Sequence, residues 1–477
     1  MRRTVPIAAV AGVLLFHQAP IPSVSVSAQA PAATARASET ALDRYVATPD
    51  ASYAWTVSKT LPAGDGATAT LIDLTSQRWF EQEVEQPVWK HWLVVVTPKK
   101  VTSDVGLLYI GGGRNDRNPP AAPAPWLVEA ARDNGTVVAE LRMVPNQPVV
   151  FKNDPDRKPR TEDDFIAYTW NQFLRTGDDR WPARLPMTKS AVRAMDTLTA
   201  FAASPAGGGH KVARFVVAGA SKRGWTTWAS AAVDTRVIGI IPAVIDLLNV
   251  EPSFEHHLAA YGTYSEAVQD YVDQGIMKWL GTPQFRALMK IEEPYEYRAR
   301  LTLPKLMLNA SGDQFFLPDS SQFYFDDLRG EKYLRYVPNA SHSLDKTDAL
   351  ESLQAFYATV VKGTPRPAFT WTFERDGSIK VVTKDQPEAV VVWQAVNPAA
   401  RNFRHDVIGS AFASTPLTLS GPNTYVARVP NAAEGWTAFF VELKFPSGGK
   451  YPLKFTTAVR VLPDTLPYPA PKLSPPR

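Results

Sequence analysis

Residues 215–228 read Phe215-Val-Val-Ala-Gly-Ala-Ser221-Lys-Arg-Gly-Trp-Thr-Thr-Trp228. The apolar run through Ala218 has the character of a buried strand. Gly219 and Ala220 form a small-residue corner, and Trp225 to Val233 has the character of a helix. A strand that turns sharply into a helix at a serine is a nucleophile elbow, which exposes the hydroxyl at the carboxyl edge of a sheet. A serine hydroxyl is a weak nucleophile at neutral pH, so it needs this constrained position and a neighbouring base. The stretch departs from G-x-S-x-G, because Arg223 stands where the second glycine belongs and Gly224 comes one residue late. Taken alone, it also fits an ordinary strand-to-helix turn in which Ser221 caps the helix.

Outward from the elbow, strand-like and helix-like runs alternate. Residues 52–98 read as antiparallel strands opening a mixed sheet. Val105 to Ile110 and Thr136 to Leu141 read as strands, and Leu127 to Asn134, Glu162 to Arg175 and Lys189 to Ala203 as helices. After the elbow, Val237 to Ile245, Lys305 to Asn309 and Tyr333 to Val337 are further apolar runs, and Asp345 to Val361 is a last helix. Strands separated by helices imply parallel βαβ units. Residues 251–300 interrupt the rhythm with helical, aromatic-rich sequence, read either as a cap over a site or as helices packed on the sheet. The expected fold is α/β: an α/β-hydrolase domain over residues 43–365 with a cap insertion at about 251–300.

In that fold the nucleophile is followed in chain order by an acid and then a histidine. The protein has seven histidines, and His342 alone follows a late strand just before the last helix. Asp313, after the Lys305–Asn309 run and a Ser-Gly turn, is the candidate acid, with Asp246 as the fallback. The candidate catalytic set is therefore Ser221, Asp313 and His342. The oxyanion of an acyl-transfer intermediate needs backbone donors, for which Lys222 N–H and the Gly111-Gly112-Gly113 loop are placed, with Gly112 or Gly113 as the second donor. That loop lacks the GK[ST] ending of a phosphate-binding loop. Arg223, Trp225 and Arg114 are candidates for substrate contact. Lys222 and Arg223 are read first as ion-pairing with nearby carboxylates and only second as a lure for an anionic substrate.

The ends of the chain differ in texture. Arg2 and Arg3 precede an apolar stretch from Val5 to Phe16 and small residues near Ala28, the layout of a secretory signal peptide over residues 1–28. An uncleaved anchor is the alternative. Residues 29–42 read as a disordered Ala/Pro/Ser linker. Export to the periplasm or outside the cell is expected. After Pro365-Arg366-Pro367 only short alternating runs remain, from Phe369 to Val461, expected to form an immunoglobulin-like β-sandwich over 366–465. A proline-rich tail follows at 466–477.

With 477 residues, two folded domains fit better than one. A net charge of +4 without a Lys/Arg cluster argues against a nucleic-acid partner. Zero cysteines remove disulfides, thiolate metal sites and a cysteine nucleophile. No HExxH or other spaced His/Asp set appears, so neither metal nor cofactor is expected. The expected partner is a small molecule, glycan or peptide bearing an ester or amide, with no stable membrane span once the leader is removed.

Four motifs then converge: Tyr109-Ile-Gly-Gly-Gly113, Asp163-Asp-Phe-Ile-Ala-Tyr-Thr-Trp170, Gly219-Ala-Ser-Lys-Arg-Gly-Trp-Thr-Thr227 and Asn309-Ala-Ser-Gly-Asp-Gln-Phe-Phe316. Through them the chain resembles the PhoPQ-activated pathogenicity-related protein family over about residues 43–460. The resemblance implies an α/β-hydrolase fold and export, and makes the missing second glycine a family trait. It does not define a substrate. A looser similarity, to the G-x-S-R-x-G elbow of glucuronoyl esterases, points toward carbohydrate esters. The expected function is that of an exported serine hydrolase cleaving an ester, less readily an amide. The alternative is a binding or signalling protein on a hydrolase scaffold.

Overall fold

A computed structural model describes residues 39–430 and 432–469. The expected leader (1–28), most of the linker (29–42) and the end of the tail (466–477) lie outside them. The last linker residues are not loose: Thr40 caps a helix, Ala41–Ala47, through a reciprocal pair with Asp43, and Leu42 is buried.

Three antiparallel strands open the sheet: β1 (Ala54–Gly64), β2 (Ala67–Arg78) and β3 (Val88–Thr97). Six more follow: β4 (Val105–Ile110), β5 (Val138–Leu141), β6 (Arg214–Ala220), β7 (Val237–Ala243), β8 (Lys305–Ala310) and β9 (Lys332–Val337). Their spatial order is β1-β2-β3-β5-β4-β6-β7-β8-β9, parallel from β5 onward. The parallel strands are apolar on both faces because helices cover both: Leu107, Val216, Ile241 and Leu308 contribute to one core, and Leu108, Val217 and Ile240 to the other. With the serine at the end of β6 this is an α/β-hydrolase sheet.

Residues 250–297 form the helices Val250–Tyr261, Gln269–Asp273 and Pro283–Glu292, joined by single-turn segments. Their apolar residues Phe254, Ile276, Leu280 and Phe285 join the main hydrophobic cluster.

The C-terminal strands are β10 (Phe369–Phe373), β11 (Ile379–Thr383), β12 (Ala389–Asn397), β13 (Ala413–Pro416), β14 (Leu419–Gly421), β15 (Thr424–Ala427), β16 (Trp436–Phe445), β17 (Leu453–Thr456) and β18 (Arg460–Leu462). The short strands β17 and β18 both pair with β16. A sandwich is present, but only one of its sheets, β10-β11-β15-β14, is separate. The other continues the hydrolase sheet: β17 meets β9 at Thr456 and Leu334, and the order runs on through β16, β12 and β13. Ile379 and Val381 pack with Val441 and Leu443 across the sandwich, in the same cluster as Leu306 and Leu308.

Candidate active site

Ser221 stands between β6 and the helix Lys222–Val233 with φ 57° and ψ −127°, a conformation that L side chains avoid and that costs on the order of 1–3 kcal/mol. The bond from its N–H to the Ala243 carbonyl, 2.8 Å, pins the turn to β7. The late glycine explains itself. A Cβ on Gly224 would lie 2.6 Å from Ile245 Cγ2, and one on Gly219 would lie 2.8 Å from the Arg223 carbonyl. Gly224 thus supplies the close helix–strand approach that the missing second glycine would provide.

The acid and the histidine are brought together by the loops after β8 and β9. His342 Nδ1 lies 2.9 and 3.0 Å from the two carboxylate oxygens of Asp313. Asp313 is buried and also accepts the Phe315 N–H at 2.8 Å, while Gln314 Oε1 accepts the His342 N–H at 2.9 Å. The Phe315 ring packs on the imidazole, with centroids 4.3 Å apart. The side chain of His342 keeps 20% of its surface exposed, toward an open cleft that Ser221, Lys222, Gly112 and Tyr109 also line. Among the described residues no hydrogen bond joins Ser221 Oγ to His342.

The cationic pair beside the nucleophile is bound by carboxylates. Lys222 Nζ lies 2.8 Å from Glu162 and 3.0 Å from Asp163, and Arg223 lies 2.6 Å from Glu162. Burial alone would raise the Glu162 carboxyl, but the Arg223 and Lys222 charges outweigh it and bring it down to about 2. Arg223 also donates to the Val144 carbonyl at 2.6 Å and packs against Gly112, where a Cβ would meet its guanidinium at 2.5 Å. The guanidinium therefore ties the elbow to the glycine loop. This favours the ion-pairing reading of Lys222 and Arg223 over the lure.

The model for PhoPQ-activated pathogenicity-related proteins matches residues 42–404. The chain belongs to the PhoPQ-activated pathogenicity-related protein family. Autocrine proliferation repressor protein A of Dictyostelium discoideum is 39% identical over 461 residues, spanning 90% of this chain and 92% of that one. Solved structures similar to it include an acetyl xylan esterase from Paenibacillus sp. R4, with TM-score 0.47 at 15% identity over 69% of this chain and 96% of that one. Another is a glucuronoyl esterase from Solibacter usitatus, with TM-score 0.39 at 16% identity over 67% and 91%.

In this member of the PhoPQ-related family the other sequence candidates separate. Gly112 lines the cleft, whereas Gly113 is exposed and its carbonyl accepts from Gln147 at 3.2 Å. As the first residue of its helix, Lys222 has an N–H with no intrahelical acceptor. Arg114 forks onto Asp116 at 2.7 and 2.9 Å and is not among the residues lining the cleft, because a neighbouring surface carboxylate satisfies it. Trp225 is buried, donates to the Leu247 carbonyl and lines a second, apolar cavity beside Ser221. Asp246, the fallback acid, does not bond His342. Tyr324 and Tyr336 donate to it at 2.5 and 2.6 Å. Burial pushes its carboxyl up to about 7; the two hydroxyls partly offset this and the charges of Asp313 and Asp319 add to it.

Sequence reading left three features without a role. Glu162 was visible only as the first residue of the helix-like run to Arg175, and Asp163 only as the start of the Asp163–Trp170 motif. Arg184, fully buried, pairs with Glu292 at 3.2 Å and donates to Lys222 O at 2.5 Å, bracing the first turn of the elbow helix from below. The segment 397–412 of the C-terminal region grips both site loops. His405 N–H donates to Gly312 O at 2.8 Å, and the Asn339 side chain exchanges bonds of 2.8 and 2.9 Å with the Phe412 backbone. Arg401 reaches Asp319 at 2.5 Å, and Asp319 also meets His256 of the cap at 3.1 Å. Among the described residues no group of three or more His, Cys, Asp or Glu is arranged to hold a metal ion, and no helix is long and apolar enough to cross a membrane.

Proposed function

We propose that this protein is an ester hydrolase working through an acyl-enzyme on Ser221. The observation that carries the reading is the Asp313–His342 pair opening onto the same cleft as a serine held at a strained elbow. Ser221 Oγ attacks the ester carbonyl carbon while His342 Nε2 takes its proton. Asp313 holds Nδ1–H and favours the imidazolium that results. The tetrahedral oxyanion sits between the N–H groups of Lys222 and Gly112, each such donor contributing on the order of 3 kcal/mol. His342 returns the proton to the departing alcohol oxygen, and water repeats the sequence to release the acid and regenerate Ser221. The leader-like sequence of residues 1–28 supports a site of action outside the cytoplasm. A serine and histidine not yet in hydrogen-bond contact are compatible with this, since such bonds tighten on substrate binding.

A fluorophosphonate probe should label the wild-type protein at Ser221 and leave Ser221→Ala unlabelled. A folded wild type that resists labelling would sink the mechanism.

A second reading, a signalling protein on the same scaffold, is favoured by one observation: the relative at 39% identity is named a proliferation repressor. It predicts that Ser221→Ala keeps whatever repressor activity the wild type has in a proliferation assay, whereas the hydrolase reading predicts its loss.

A further inference from the structure

Two cavities meet at Ser221, and His342 lines only one of them. The open cleft carries His342, Ser343, Tyr109 and Gly112. The other is a slot lined by Ser221 and Lys222, by Trp170 and Trp225 of the hydrolase domain, and by Met277, Leu280 and Phe285 of the cap. In the acyl-transfer scheme above, on which this inference rests, the departing oxygen must receive its proton from His342. The alcohol half of the substrate therefore lies in the cleft with His342. The acyl half, on the opposite side of the attacked carbon, is directed into the slot.

The charged groups of the slot are already paired. Asp163 meets Lys222 at 3.0 Å and accepts the Tyr271 hydroxyl at 3.1 Å. Arg184 is taken up by Glu292, Thr226 and the Lys222 carbonyl. No charge is left for a carboxylate or ammonium on the acyl group, and entering methylenes trade water for aromatic and aliphatic side chains. The slot is also small, with a volume of about 50 Å³.

We propose that the cap-lined slot is the acyl pocket and that the substrates are esters of uncharged, apolar acyl groups. The test is kcat/KM across p-nitrophenyl acetate, butyrate, hexanoate and octanoate, beside an acetate series of lengthening alcohols. The expected rise is up to roughly fourfold per acyl methylene, with no comparable rise along the alcohol series. Met277→Trp, which thrusts an indole into the slot, should lower the octanoate-to-acetate ratio by about tenfold or more, with far-ultraviolet circular dichroism showing it folded. Fluorophosphonate labelling of Ser221 together with a flat acyl series, a gain that follows the alcohol instead, or an unchanged ratio in Met277→Trp overturns the acyl pocket alone. Absence of both labelling and acetate hydrolysis overturns the hydrolase reading, and the pocket with it.

Discussion

Asp313 gives the sharpest single-residue test. In the proposed mechanism its carboxylate accepts from Nδ1 and so fixes which imidazole nitrogen is free to act as base. In Asp313→Asn the amide can present a donor to Nδ1 and stabilise the wrong tautomer. Ester turnover should fall by about four orders of magnitude with little change in KM or melting temperature. A fall of less than about tenfold would mean that another group orients His342. This residue was legible in the sequence because acid and histidine each follow a late strand, in the order the sheet requires. The sequence already ranked Asp313 above Asp246, and the fold supplies the reason that Asp246 does not meet His342. Both stand at strand ends, and only packing reveals that Asp246 is enclosed by two tyrosine hydroxyls.

At the scale of elements, the elbow and the loops after β8 and β9 are local structures held by distant chain. The elbow helix is braced by Arg184 and tied through Arg223 to the glycine loop. The loop after β9 is held by Asn339, whose left-handed φ of 56° suits asparagine and whose side chain spans to Phe412. Asn339→Ala removes both bonds and strains that backbone. The expected result is a loss of roughly 1–3 kcal/mol in chemical unfolding together with lower kcat, because His342 lies three residues on. Unchanged stability and kcat would show that the C-terminal segment does not position the loop. None of this was legible beforehand. A run such as Asn397–Phe412 has no periodicity, and its role consists of contacts to residues tens of positions away.

For the whole molecule, one continuous sheet joins the hydrolase strands to the sandwich through β9 and β17. Asp246 links β7 to Tyr336 of β9 and to Tyr324, so its protonation bears on the stability of the hydrolase core. Its carboxyl has an ordinary value of 3.8 and is raised to about 7 in the fold by burial. Between those values the folded chain holds a proton that the unfolded chain has lost. The contribution of Asp246 to stability is therefore full below about 4, falls as pH rises at up to about 1.4 kcal/mol per unit, and levels off above about 7. Urea unfolding across this range should show a smaller fall in Asp246→Asn than in the wild type. An identical slope in the two would place the titration elsewhere.

The sequence by itself determined the order of strands and helices, the elbow at Ser221, the candidate acid and histidine that follow it and the glycine loop that precedes it. Each of these is written in local periodicity or in chain order, both set by short-range backbone and side-chain preferences. Only the tertiary structure decided the rest: that Glu162 neutralises Lys222 and Arg223, that β17 docks on β9 so that the sandwich extends the main sheet, and that the cap encloses an apolar slot beside the serine. The reason is physical. Ion pairs, sheet edges and cavities arise between surfaces brought together from distant parts of the chain, and no short window of sequence contains both surfaces.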